Sequence, residues 1–420
     1  MVAKNPMKQI SIDHLIPGMF IVEMDLPWYR SPFLSHKRLI NDVATIQMMK
    51  QYGIRMVTID TSKGKDVQAE AAGVTSGSEP GAPGASASLE TQGEAVSQAH
   101  MQAGSPQAIY AEAHEAVERI FADLEQGVPP PPAATKAVVS KVLAQVLTDR
   151  TALLTQLVVQ KVTQFDRSLA AHALDTCVLS LIVAVESGLD ETMQAHLGAG
   201  ALLHDAGYVR LPRNLVRRRN ECTEQERILL QQHPTLGIAL LAEEPDIPEE
   251  VKRIVAEHHE RGDGSGYPSG YTNDAISHLA KIVGIVDLYD GMVSRRGGRP
   301  AMLPHDAVRQ LFLAGERGQF EKTLVEIVIR SVGVYPVGSL IRLNTGEQAI
   351  VVGVNPGQRL KPLVKITGGP QGESYTNPVQ VDLATQTQER GVRTVLRVLD
   401  PAQERVNIAM YLDEASSQAA

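Results

Sequence analysis

The sequence predicts a multidomain, mainly α protein. An all-helical bundle carries a small N-terminal α/β or β-rich module ahead of it and a small C-terminal β appendage behind it. Three observations carry this expectation. Apolar residues recur at three-and-four spacing through nearly every segment from about 134 to 332. A stretch with few large apolar residues, 61–109, separates that region from the N-terminal one. After Tyr335-Pro336 the apolar period shortens to strand-like runs.

Residues 1–60 form the first module. ISIDHLIPGMFIVEMD alternates like a strand pair broken at Pro17-Gly18. NDVATIQMMKQYG (41–53) has helical spacing and stops at Gly53, and IRMVTID reads as a strand. Residues 61–109, rich in Gly, Ala, Ser, Glu and Gln, read as a disordered linker. The helical domain spans 110–333. A helix over 110–126 precedes the stiff break GVPPPPAA. KAVVSKVLAQVLTDRTALLTQLVVQ and LAAHALDTCVLSLIVAVESG follow, the second ending at Gly188. MQAHLGAGALLHDAG (193–207) is a further apolar helix, and TEQERILLQQHPTLGIALL opens with a capping pattern at Thr223 and Glu226. EEVKRIVAEHHE, AISHLAKIVGIVDLYDGMV and HDAVRQLFLAG complete the bundle. In the last domain, 334–420, VGSLIRLNTGEQAIVVGV is two β runs around Asn344-Thr345-Gly346; PLVKIT and TVLRVLD are further strands, followed by a tail.

Composition narrows the function. The 420 residues carry a net charge of −8, which argues against broad nucleic-acid binding, DNA included, because neutralising phosphates needs a basic face. A small anionic ligand held by a few local arginines stays open. Cys177 and Cys222 have no CxxC spacing, so neither a disulfide framework nor a thiolate metal site is expected. The N-terminus lacks the apolar core of a signal peptide, and CVLSLIVAV (177–185) is too short to span a bilayer. A soluble, cytoplasmic protein that makes no membrane contact is the expectation.

The chemistry-bearing residues are His172, His204, Asp205, His233, His258, His259 and Asp287, each on or at the end of a predicted helix. Facing helices bring such groups together inside a bundle. Nitrogen and oxygen donors without thiolate suit Mn, Fe, Zn or similar ions. Asp205 is placed to bridge two of them. Adjacent helical side chains diverge by roughly 100°, so His258 and His259 need not share an ion; they could serve two ions, or one ion and a substrate. A single such histidine is more often an ordinary core or surface residue, as His114, His196 and His305 illustrate, so the argument rests on the combination.

HDAG at 204–207, HHERGDGSGYP at 258–268 and VDLYDGMVS at 286–294 recur in order and at suitable spacing. Together they resemble the HD-GYP family of the HD phosphohydrolase superfamily, over about His172 to Leu324. LPRNLVRRRNECTEQERILLQQHPTLG resembles the stretch that carries the family's middle histidine, and LIPGMFIVEMDLPWYRSPFL is similar to the small domain often found ahead of HD-GYP domains in bacterial signalling proteins. The resemblance implies phosphodiesterase action on cyclic di-GMP, giving pGpG and onward GMP. It implies two divalent ions, Fe or Mn, with His172, His204, Asp205, His233, His258, His259 and Asp287 as ligands. Ser168 stands where some members place a third-metal glutamate. It also implies diguanylate cyclases or other signalling proteins as partners, and leaves a homodimer open.

In the loop, Gly262, Gly264 and Gly266 would let the backbone approach a ligand and adopt positive φ. Tyr267 would offer a ring face or hydroxyl to substrate, with Pro268 stiffening the exit. Glu260 would orient a ligating histidine or pair with a solvent-facing Arg261, itself a candidate substrate contact. Arg296 and Arg299 match the family's phosphate-contacting arginines. The family's HDxGK lysine is Tyr208 here, a phenol that donates a hydrogen bond or acts as an acid but carries no positive charge at pH 7. Asp205 and Tyr208 are therefore the catalytic candidates. The alternative is a catalytically weak or inactive protein that binds metal and cyclic di-GMP and signals through its flanking domains.

Overall fold

In a computed structural model the described residues are 7–25, 38–40, 43–51, 54–65, 104–163, 168–219, 221–242, 244–295, 299–355, 357–386 and 392–413. The chain divides into two compact units, one of residues 1–102 with 401–407 and one of 103–400 with 408–420.

In the first unit, β1 (Met7–Ser11), β2 (Phe20–Met24), β3 (Arg38–Leu39) and β4 (Met56–Asp60) form an antiparallel sheet in the order β1-β4-β2-β3. One helix, α1 (Val43–Gln51), accompanies it. The core is aliphatic, with Met19, Ile21, Met49 and Ile59 fully buried. Gly18 makes the expected turn at φ +97°. Gly53 lies outside the described residues. So does 66–103, most of the expected linker. Its two ends do not behave as linker: Lys65 N–H donates to the Gly18 carbonyl at 2.7 Å, and α2 (Pro106–Glu125) starts before 110 because Ser105 caps it, accepting from Ala108 N–H.

The second unit is the helical bundle with a sheet attached. α3 (Pro132–Thr163) is interrupted at Asp149, which leaves the helical region at φ −154°, ψ 88°. The Asp149 carboxylate then caps the restart, accepting from Ala152 N–H at 2.9 Å. The apolar period runs straight through this break, so the sequence does not announce it. α4 (Leu169–Glu186) is the central helix, buried on all sides from Ala170 to Ala184. By length and composition α3 and α4 are both apolar enough to cross a membrane, but 83% of the α4 window is packed inside the fold.

α5 (Glu191–Leu203), a 3-10 turn (Ala206–Arg210) and α6 (Arg213–Arg217) follow. The stretch expected as one helix from Thr223 is two, α7 (Glu224–Leu230) and α8 (His233–Leu241), with the capping box at Thr223 and Glu226 in place. α9 (Glu249–Glu257), α10 (His278–Val293), α11 (Pro304–Glu316) and α12 (Lys322–Val332) complete the bundle. Close crossings depend on missing side chains. A Cβ on Gly200 would sit 2.4 Å from Ile254, and one on Gly284 2.3 Å from the His258 carbonyl.

The C-terminal sheet has the order β8-β7-β6-β5-β9, antiparallel throughout. The strands are β5 (Leu340–Leu343), β6 (Gln348–Gly353), β7 (Leu363–Gly368), β8 (Ser374–Asp382) and β9 (Val395–Leu399). The edge strand β8 was not expected: it is polar, largely exposed and carries Pro378, which an edge tolerates. The sheet packs on α3, with Gly338 against Val158 and Gly353 near Thr151.

Candidate metal centre

The seven candidate ligands meet at one place. His172 projects from α4, His204 and Asp205 end α5, His233 starts α8, His258 and His259 follow α9, and Asp287 lies on α10. Their donor atoms form two clusters: Asp205, His233, His258 and His259 in one, and His172, His204 and Asp287 in the other. All but His259 and Asp287 are almost completely removed from water.

The imidazoles are oriented by their outer nitrogens. Nδ1 of His204, His233 and His258 lies 2.8, 2.9 and 3.0 Å from the carbonyls of Ala201, Leu230 and Val255, each three residues back. That contact requires Nδ1–H and leaves Nε2 as a lone pair facing inward, the arrangement of a metal-ligating histidine. Nε2 of His172 is 3.2 Å from Nε2 of His204, and Nε2 of His233 is 3.2 Å from Nε2 of His258. Lone pairs held so close repel unless a cation or a shared proton lies between them. The donor chemistry therefore fits divalent metal.

Both carboxylates span the two clusters. Asp205 sets Oδ1 3.3 Å from His233 and Oδ2 3.5 Å from His172. Asp287 sets Oδ1 2.9 Å from His172 and Oδ2 3.9 Å from His259. His258 and His259, just past the end of α9, have ring centroids 4.2 Å apart and fall in one cluster.

Behind His172 lies a buried relay that the sequence did not reveal. Asp290 Oδ2 accepts from His172 Nδ1 at 2.7 Å. The Lys161 ammonium is shared between Asp290 and Asp175, and Tyr110 Oη donates to Asp175 at 2.7 Å. The one available signal was spacing: Asp290 is three residues after Asp287, on the same helical face.

The loop residues divide. Glu260 orients no histidine and does not pair with Arg261. Its carboxylate accepts from the backbone N–H groups of Ser269 and Tyr271, at 2.7 and 2.9 Å, and so ties the glycine-rich loop down. Arg261 is not solvent-facing. Its guanidinium donates to the carbonyls of His258 and Glu260 and lies 4.6 Å over the Phe320 ring, which clamps the turn. Of Gly262, Gly264 and Gly266, only Gly264 has positive φ. Gly266 is required by the chain itself, since a Cβ there would meet Arg261 N at 2.4 Å. Tyr267 stacks on His259 with ring centroids 4.6 Å apart, while Pro268 is exposed.

Tyr208 stacks on His233, centroids 4.1 Å apart, and burial pushes its phenol above the ordinary range. Arg210 points away, toward Gly127. A small cavity of about 200 Å³ opens onto the centre, lined by Asp205, Tyr208, Arg219, His259, Asp287 and Arg299, among others. Arg299 donates to the Gly291 carbonyl at its rim. Arg296 lies outside the described residues.

The two clusters hold protons differently. Burial works against a charged His172, but Asp287 and Asp290 raise it to about 10. Burial together with His204 and His233 lowers His258 to about 3. Burial opposes charge on Asp205 and Asp287 too, yet the surrounding histidines hold both well below the usual carboxylate range. At pH 7, Mn(II) uptake is therefore expected to release protons. The His172 proton is present below about pH 10, must leave when Nε2 binds an ion, and so makes affinity rise with pH through the neutral range. Calorimetric titration in buffers of different ionisation enthalpy measures this; uptake with no proton release would contradict it.

Residues 141–324 match the HD domain family, 7–135 a domain of unknown function (DUF3391), and 340–402 a KOW domain associated with the HD domain. A cyclic di-GMP phosphodiesterase of Pseudomonas aeruginosa is 29% identical over 366 residues, 86% of this chain and 85% of that protein. The cyclic di-GMP phosphodiesterase response regulator RpfG of Xanthomonas campestris is 32% identical over 151 residues, 36% of this chain and 39% of its own length. Among solved structures, an HDG"Y"P protein from Bdellovibrio bacteriovorus covers 77% of this chain and 98% of its own at 16% identity, with a TM-score of 0.44.

Proposed function

We propose, from the premise that this chain is an HD-GYP domain protein, that it hydrolyses cyclic di-GMP to pGpG and onward to GMP at a centre of two divalent ions, Fe or Mn. The observation that carries this reading is the pair of adjoining buried donor clusters, spanned by both Asp205 and Asp287. When bound, the ions supply Lewis acidity toward a water-derived nucleophile and neutralise charge on the phosphate.

The chain's own residues do the rest. The backbone-anchored imidazoles of His204, His233 and His258 keep their donor atoms fixed, so no reorganisation is needed when charge develops. Asp290 holds His172 in one orientation through Nδ1. Tyr267 stacks on His259 and holds that imidazole in place from its outer face. A cavity of about 200 Å³ takes a phosphodiester and not a whole cyclic dinucleotide, so the bases lie toward its rim.

A second reading, a receptor that binds metal and dinucleotide and turns over slowly, is favoured by one observation. Tyr208, at the position of the family's HDxGK lysine, brings no positive charge to the centre. Purified protein loaded anaerobically with Fe(II) or Mn(II) and mixed with cyclic di-GMP separates the two, with pGpG and GMP followed by chromatography. Metal-dependent product supports the enzyme. Tight binding without product from a metal-replete, folded protein supports the receptor.

A further inference from the structure

A phosphate docked at Asp205, His259 and Asp287 faces a cavity wall with two cationic side chains among the described residues, Arg219 and Arg299. They are not equivalent. Arg299 donates to the Gly291 carbonyl. The Arg219 guanidinium is half-buried and makes no hydrogen bond or ion pair with any described residue. It lies 5.3 Å over the face of Tyr208, whose ring stacks in turn on His233. The His233–Tyr208–Arg219 stack thus carries a cation from the metal centre's edge to the cavity wall. Arg219 and Tyr208 also line the adjoining groove of about 700 Å³, so both stand where the two spaces meet. A guanidinium has five donors in a planar fork that matches phosphate oxygens.

We propose that Arg219 binds the scissile phosphate and supplies the positive charge that position 208 does not. This rests on the phosphodiesterase reading above. In the reaction a water-derived oxygen bonds to phosphorus as the bond from phosphorus to the ribose 3′ oxygen breaks. The 3′ oxygen leaves with the electron pair and takes a proton from solvent water, and the nucleophile's own proton returns to solvent. Arg219 keeps its protons and stabilises the negative charge through hydrogen bonds. Tyr208 is then the platform that positions the guanidinium.

The test compares metal-replete full-length wild type, Arg219→Gln, Arg219→Lys and the double variant Arg219→Gln with Tyr208→Lys. Arg219→Gln is expected to lower kcat/KM for cyclic di-GMP by about 10²-fold, with metal content and melting temperature unchanged. Arg219→Lys is expected to keep part of the activity, and the double variant to regain part of it. Wild-type kinetics in Arg219→Gln would overturn the proposal and leave the phosphodiesterase reading standing. If metal-replete wild type is inert, that reading fails, and calorimetric affinity for cyclic di-GMP decides the contact. Weakening of about tenfold or more in Arg219→Gln upholds it; equal affinity, or no binding by either protein, overturns it.

Discussion

Asparagine at position 205 is expected to cost the protein its bound metal and at least about 10³-fold in phosphodiesterase turnover, beyond the usual loss of one charge-stabilising donor. The substitution keeps size and shape, so packing is not at issue. What changes is charge and donor set. The Asp205 carboxylate faces His233 Nε2 at 3.3 Å, His204 Nε2 at 3.5 Å and, through its other oxygen, His172 Nε2 at 3.5 Å. Those histidines hold it ionised far below the usual carboxylate range, although burial alone would favour its neutral form. A neutral amide offers one oxygen, and the NH₂ group that replaces the other repels a cation. Both clusters therefore lose a negative donor at once, whereas His258→Gln removes a donor from one cluster only. Metal analysis after dialysis is the decisive readout. Two equivalents retained by Asp205→Asn would mean the carboxylate does not bridge. Retained turnover on one equivalent would mean a single-ion enzyme.

The seven side chains that converge were legible because imidazoles and carboxylates recur along successive helices in a fixed order. What surrounds them was not. Lys161 and Asp175 sit in apolar helices, where a lone charge reads as an exposed position, yet Asp175 is buried, Lys161 is largely so, and the two are paired. Glu260 beside Arg261 suggests an ion pair by adjacency. The turn after Glu257 instead sends the carboxylate to the amides of Ser269 and Tyr271, and the guanidinium back onto its own carbonyls. Arg219 lies in RRRN, where nothing in the sequence singles it out from Arg217 and Arg218, and only the fold lays it on Tyr208. In the sheet, β5 and β6 were marked by their turn at Gly346, φ +86°. Strand β8 was hidden by Pro378 and by having little apolar surface to bury. Sequence pattern reports burial and local turns; it does not report which backbone a side chain meets from another helix.

Gly207→Ala puts that last point to a measurable test. In HDAG the glycine is the residue where the 3-10 turn crosses α8. A Cβ there would lie 1.9 Å from the His233 carbonyl oxygen and 2.6 Å from the Gly237 nitrogen, both backbone atoms. No rotamer relieves this, since nothing flexible is in the way, and φ at Gly207 is not in the left-handed region. The two segments must separate. Overpacking of this kind costs about 3 kcal/mol, a fall in melting temperature of roughly 5 °C for a unit of this size. The separation also moves His233, whose ring stacks on Tyr208 and whose Nε2 belongs to the cluster with Asp205. The same variant is therefore expected to lose metal from that cluster. Gly291→Ala on α10 is the stability control: a Cβ there meets nothing within 4 Å, and alanine favours a helix by up to about 1 kcal/mol. Unfolding scans of the metal-free proteins, set beside metal content, separate packing from ligation. A Gly207→Ala protein as stable and as metal-rich as wild type would mean that the turn and α8 do not approach this closely.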